Sequence, residues 1–135
     1  MRFGSNVAMW LGTTLASASG FAFAQSPAPP IAGTWTGTAM QNDGASNYTA
    51  ILILTKAGGQ TDYPELKCGG ILKRVGIANG YVFFTETITR GGKASGGSCI
   101  DGTATVAPAG AGLSWGWMGT ANGKVYVAWS NMTRK

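Results

Sequence analysis

The chain has 135 residues, 44% of them hydrophobic, with ten basic against five acidic side chains and a formal net charge of +5. It contains no histidine and two cysteines, which excludes Ser-His-Asp and Cys-His nucleophile systems and zinc sites built on imidazole. The length fits one domain with one modest hydrophobic core.

Residues 1–24 read as a cleavable signal peptide. Arg2 supplies the charge, an apolar run follows from Val7 to Leu11 with Leu15 and Ala16 beyond it, and Ala22-Phe23-Ala24 is a small-x-small cleavage signal. Gly12, Thr13, Thr14, Ser17 and Ser19 interrupt the run, which falls short of the roughly 20 apolar residues of a membrane span. The residue after the cut is Gln25, not the cysteine of a lipoprotein. Removing Arg2 leaves nine basic residues, scattered apart from the pairs Lys73-Arg74 and Arg134-Lys135. Such a charge pattern suits solubility and weak attraction to acidic envelope polymers rather than nucleic acid. The expectation is a secreted or periplasmic bacterial protein with no membrane span. In that setting Cys68 and Cys99 pair as a disulfide.

Residues 25–32, with Ser26-Pro27-Ala28-Pro29-Pro30, form an extended spacer ahead of a domain over 33–135. No helical period follows. Seven β-rich segments run over 33–41, 47–56, 67–75, 81–90, 98–107, 112–119 and 124–132, bounded by Gly, Asn, Asp or Pro, and 57–66 is the place for an eighth. The fold class is all-β: an antiparallel up-and-down meander of seven or eight strands closed as a small barrel, with a sandwich as the alternative.

Two turns fix a register. Asn79-Gly80 is a strong hairpin signal; a two-residue turn there pairs Ile77 with Val82, Val75 with Phe84, Lys73 with Glu86 and Ile71 with Ile88, and sets Cys68 opposite Gly91. Lys73 and Glu86 then form a structural ion pair on an apolar face, and a functional acid at a barrel mouth is the other reading of Glu86. Asn122-Gly123 in turn pairs Met118 with Val127 and Gly116 with Trp129 on one face. Leu113 with Met132, Trp115 with Ser130, Trp117 with Ala128 and Gly119 with Tyr126 lie on the other. Trp129 over Gly116 reads as core packing. Trp115, Trp117 and Tyr126 then make an aromatic strip, a binding surface if it faces solvent and core if it faces the barrel interior.

No catalytic, metal or cofactor motif appears. Gly91-Gly92-Lys93-Ala94-Ser95-Gly96-Gly97-Ser98 lacks the Gly-Lys-Ser/Thr ending of a phosphate loop and sits between strands. A glycosidase needs two facing carboxylates, and the acidic residues are Asp43, Asp62, Glu65, Glu86 and Asp101.

Gly33-Thr34-Trp35 is similar to the Gly-x-Trp opening of lipocalin-like and avidin-like barrels. The run Tyr63-Pro64-Glu65-Leu66-Lys67-Cys68-Gly69-Gly70-Ile71-Leu72, then Glu86-Thr87-Ile88 and Cys99-Ile100-Asp101-Gly102, resembles a small extracytoplasmic domain. That domain occurs alone in secreted bacterial proteins and beside kinase-type domains in some actinobacterial receptors. The resemblance implies export, the disulfide and an all-β fold, brings no catalytic residues, and directs attention to Tyr63, Pro64, Glu86 and Asp101. The expected function is a non-enzymatic envelope module without cofactor, recognising a small molecule, glycan or protein through Trp115, Trp117, Tyr126, Tyr63 and Pro64. The alternative is a periplasmic protease or lysozyme inhibitor.

Overall fold

A computed structural model describes residues 28–135; the expected signal peptide over 1–24 and the first part of the expected spacer lie outside the described residues. Eight strands follow: β1 (Gly33–Gln41), β2 (Tyr48–Leu54), β3 (Gly58–Tyr63), β4 (Cys68–Ala78), β5 (Tyr81–Arg90), β6 (Gly102–Ala109), β7 (Gly112–Ala121) and β8 (Lys124–Arg134). Each pairs antiparallel with the next, and β8 returns to β1 through Trp35–Arg134 and Gln41–Ala128, closing an up-and-down barrel. Closure leaves no open sheet edge. The segment 57–66 supplies the eighth strand, β3, and a single 3-10 turn over Pro64–Leu66.

Alternation decides what faces inward. In β2, Tyr48, Ala50, Leu52 and Leu54 are buried, and in β5 Val82, Phe84 and Glu86 are buried while Tyr81, Phe83 and Thr85 are exposed. The two ends of the barrel differ. One is plugged by Trp35, whose Nε1 donates to the Ile31 carbonyl at 2.8 Å while the Arg134 guanidinium lies 4.3 Å from the ring centroid. Leu52, Phe84, Val106, Leu113, Trp115 and Met132 fill the middle and are essentially sealed from solvent. The loops 42–47, 64–67, 91–101 and 122–123 gather at the other end.

Both Asn-Gly hairpins form. Asn79 and Gly80 have φ of 51° and 81°, and Asn122 and Gly123 have 52° and 73°, the left-handed pair that a two-residue hairpin requires. Across β7 and β8 every expected pair is present, from Leu113–Met132 to Gly119–Tyr126. Their facing is now fixed: Trp115 is 2% exposed and Trp129 is 43% exposed. Trp129 over Gly116 is therefore not core packing. It stands on the outer surface, where a Cβ on Gly116 would meet nothing within 4 Å.

The first hairpin departs from the expected register in its middle. Ile77 does face Val82, but Val75 bulges out of β4 and Thr89 out of β5, so that Gly76 pairs with Phe83, Arg74 with Phe84, and Gly69 with Arg90. Between the two bulges the strands are slipped by one residue, which moves a strand's side chains to the opposite face. Lys73 faces Thr85 and is exposed, and Glu86 faces Leu72. The expected Lys73–Glu86 ion pair does not exist. Ile71 and Val75 are displaced outward for the same reason, at 54% and 59% exposure.

Candidate ligand-binding site

Glu86 sits on the inner face of β5, 2% exposed, among residues that an unpartnered carboxylate would not tolerate. Three donors satisfy it. The Thr61 hydroxyl on β3 donates to Oε1, the Tyr63 hydroxyl donates to the same oxygen at 2.9 Å, and Trp117 Nε1 on β7 donates to Oε2 at 2.6 Å. Thr61 is oriented in turn by the Gly70 backbone N–H, which donates to its Oγ1 at 2.9 Å. All three donors are neutral. Among the described residues the one ion pair is Arg90–Asp62 on the surface, so no cation compensates Glu86.

The electrostatics follow. Burial raises the Glu86 carboxyl above its ordinary 4.5, the bonds from Thr61, Tyr63 and Trp117 pull it back, and the Asp101 charge adds to the rise. Burial, and then the Glu86 charge, holds the Tyr63 phenol well above its ordinary 10. The same two causes push Tyr48 up to about 12. Both phenols therefore stay protonated and keep their donor capacity at neutral pH.

Trp117 reaches Glu86 because two glycines make room for its ring. A Cβ on Gly102 would stand 2.5 Å from the indole Cε2 and Cζ2, and one on Gly119 would stand 2.5 Å from Cη2. Neither separation is tolerable for real atoms, so any other residue at either position would displace the indole. Asp101 fixes the adjoining strand start: its Oδ1 accepts the Ile88 N–H at 2.8 Å, replacing a ladder partner where β6 has not yet begun.

Glu86 and Trp117 line a cavity of about 250 Å³ at the mouth, together with Tyr48, Tyr63 and Tyr126. Tyr48 meets Tyr63 edge-on at 5.8 Å between centroids, and Tyr63 meets Trp115 at 6.4 Å, so the aromatic lining continues into the core. The 91–101 loop forms one wall. It folds on itself through the 3-10 turn Lys93–Ser95, and the Cys68–Cys99 disulfide pins it to the start of β4. Gly91, with φ of 67°, lets it pass the strand: a Cβ there would stand 2.2 Å from the Lys67 carbonyl oxygen.

The expected site residues are thus redistributed. Trp115, Trp117 and Tyr126 share a face as expected, but it is the interior. Trp115 is core, while Trp117 and Tyr126 line the mouth beside Tyr63. Pro64 is exposed and opens the short turn at the rim. Sequence reasoning missed Thr61 and Tyr48. Period-two alternation from Tyr48 through Ala50 and Leu52 marks Tyr48 as inward-facing, whereas the Gly58-Gly59 start of β3 masked Thr61.

No protein-family model matches this chain, and no curated protein or solved structure matches it.

Proposed function

We propose that this chain is an exported, non-enzymatic binding module of the bacterial envelope that takes a small ligand into the mouth of its barrel. One observation carries the reading: a buried carboxylate, held by three donors and ringed by aromatic side chains, lines an open cavity at one end of an otherwise filled barrel. Concave, mainly apolar sites with a few convergent polar groups are what small-molecule recognition uses. The disulfide supports export, since such bridges persist in oxidising compartments. Inward-facing Trp117 and Tyr126 favour a ligand over an inhibitor's protein target, because a partner docking on the outer wall would not reach them.

The test is a titration of the 15N-labelled chain with small molecules and glycans, following the indole N–H of Trp117. A saturable shift of that resonance is expected from a ligand seated against Glu86. If no compound moves it while the domain inhibits a protease or lysozyme stoichiometrically, the reading is wrong.

A further inference from the structure

We propose that the ligand is a small organic ammonium ion whose charge is met by the Glu86 carboxylate inside the aromatic lining of the mouth. This rests on the reading above that the mouth is a ligand site. Four features of the site lead there.

First, Glu86 is a buried carboxyl with no cation at ion-pair distance among the described residues. Its three donors are a threonine hydroxyl, a phenol and an indole, and the nearby Arg90 guanidinium, 3.4 Å from the Thr61 carbonyl oxygen, is paired with Asp62 at the surface instead. Neutral donors satisfy geometry but leave the charge uncompensated, which is costly in a low-dielectric interior. A cationic guest supplies what the protein withholds.

Second, an acceptor position remains. An ionised carboxylate offers about four lone-pair sites. Oε1 takes two donors and Oε2 takes one, so a further N–H has a place on Oε2.

Third, the remaining lining suits a cation. Tyr48, Tyr63, Trp117 and Tyr126 border the same cavity, and aromatic faces attract ammonium groups. The Tyr126 ring already does so at the rim, where Lys124 Nζ lies 5.1 Å from its centroid. Asp43 adds a second negative charge to the lining, against which stands Lys93 on the exposed turn of the 91–101 loop.

Fourth, the site is wrong for the competing classes. An anion would face Glu86. A metal ion would find few free oxygen ligands, because Trp117 Nε1 can only donate and the Thr61 and Tyr63 hydroxyls are already turned to the carboxylate. At about 250 Å³ the cavity lies below the roughly 300–1,000 Å³ usual for larger ligands, which limits the guest to a single small amine.

The experiment titrates the full chain with methylammonium, tetramethylammonium, benzylamine and phenethylamine. Benzyl alcohol serves as the neutral match to benzylamine, and N-acetylglucosamine as a sugar, with the Trp117 indole N–H as readout. At least one amine is expected to shift that resonance saturably, with benzyl alcohol about tenfold or more weaker than benzylamine. Glu86→Gln is expected to weaken the amine about tenfold or more while leaving benzyl alcohol unchanged. If Glu86→Gln fails to fold, the comparison of benzylamine with benzyl alcohol on the native chain decides alone. The ammonium inference is overturned if the alcohol or the sugar binds as tightly as the amines, or if Glu86→Gln binds amines unchanged; the mouth then stands as a site for neutral ligands. If none of these compounds moves Trp117 but others do, the inference falls and the site survives. If no compound of any charge moves it, both fall.

Discussion

Trp117 Nε1 donates to Glu86 Oε2 at 2.6 Å, although the two side chains belong to β7 and β5, which are separated by β6 and do not pair. The bond therefore spans the barrel interior and is independent of the backbone ladder. Trp117→Phe keeps an aromatic ring but deletes the donor, and hydrogen bonds to charged groups contribute about 1.5–3 kcal/mol. We expect Trp117→Phe to lose stability by about that amount at neutral pH. Because this bond holds the Glu86 carboxyl down, its titration should also move upward. Chemical denaturation and a 13C NMR titration of the Glu86 carboxyl check the two effects.

Glu86 also sets a pH dependence. Its carboxyl in the folded state lies above the ordinary 4.5, so between that value and the raised one the folded state binds more protons than the unfolded. Stability then falls as pH rises through the folded value, and the contribution is complete below the unfolded value. Glu65 acts in the opposite sense, because its bond from the Thr49 hydroxyl lowers it; that contribution is lost as pH falls below the ordinary value. Stability measured by urea denaturation should therefore rise on acidification from neutral towards about 4.5 and then decline. Glu86→Gln should lack the rising limb. A flat wild-type profile over that range would contradict the placement of Glu86.

The slot for the Trp117 ring gives a test through the indole N–H resonance. In Gly102→Ala or Gly119→Ala the new methyl would occupy the place of the indole edge. Overpacking of this kind typically costs about 1–3 kcal/mol; moving Trp117 breaks its bond to Glu86, and the Met118 or Asp101 carbonyl oxygen, 2.5 or 2.9 Å from the new atom, has to shift as well. We expect the Trp117 indole N–H resonance to shift and stability to drop by about that amount. Gly76→Ala is the control: a Cβ there meets nothing within 4 Å, and an alanine in a strand is no worse than glycine. It should leave the Trp117 resonance in place and cost no stability.

How much of this was legible in the sequence depended on where the chain leaves the ideal ladder. The β7–β8 hairpin was readable pair by pair because Asn122-Gly123 fixes the turn and no bulge follows. At β4–β5 the turn was equally plain, but a bulged Val75 and a bulged Thr89 have no compositional signature. Together they turned an apparent Lys73–Glu86 pair into an exposed lysine and a buried, cation-free carboxylate. Alternation showed that Trp115, Trp117 and Tyr126 share a face; which face is inside depends on barrel closure, a long-range property. The donors around Glu86 come from β3 and β7, on either side of its own strand β5, and only the curl of the closed barrel brings them together.

The Cys68–Cys99 bridge ties the 91–101 loop to β4 across a sequence separation of 31. For a closed loop of that size the chain-entropy model gives about 3–4 kcal/mol. Replacing both cysteines with alanine should lower stability by about that much. Cys99 and Lys93 line the cavity, so the loss should also broaden resonances from the mouth more than those from the plugged end. A thermal melt and a comparison of Ile100 with Trp35 resonances test the two parts separately.

Trp35 and Trp115 provide the last contrast. Both are buried, at 3% and 2% exposure, and a change to Phe removes the same atoms from each. Their indole N–H groups differ. Trp35 Nε1 donates to the Ile31 carbonyl, whereas Trp115 Nε1 has no hydrogen-bond partner among the described residues. Leaving a buried donor unmade costs about 1–3 kcal/mol, so Trp115→Phe removes a penalty along with the lost volume. Trp35→Phe instead strands the Ile31 carbonyl and takes away part of the surface on which Arg134 rests. Trp35→Phe should therefore be the more destabilising of the two by at least about 1 kcal/mol. Parallel denaturant melts of the two variants decide it: equal losses would mean that Trp115 Nε1 is satisfied in solution by a buried water.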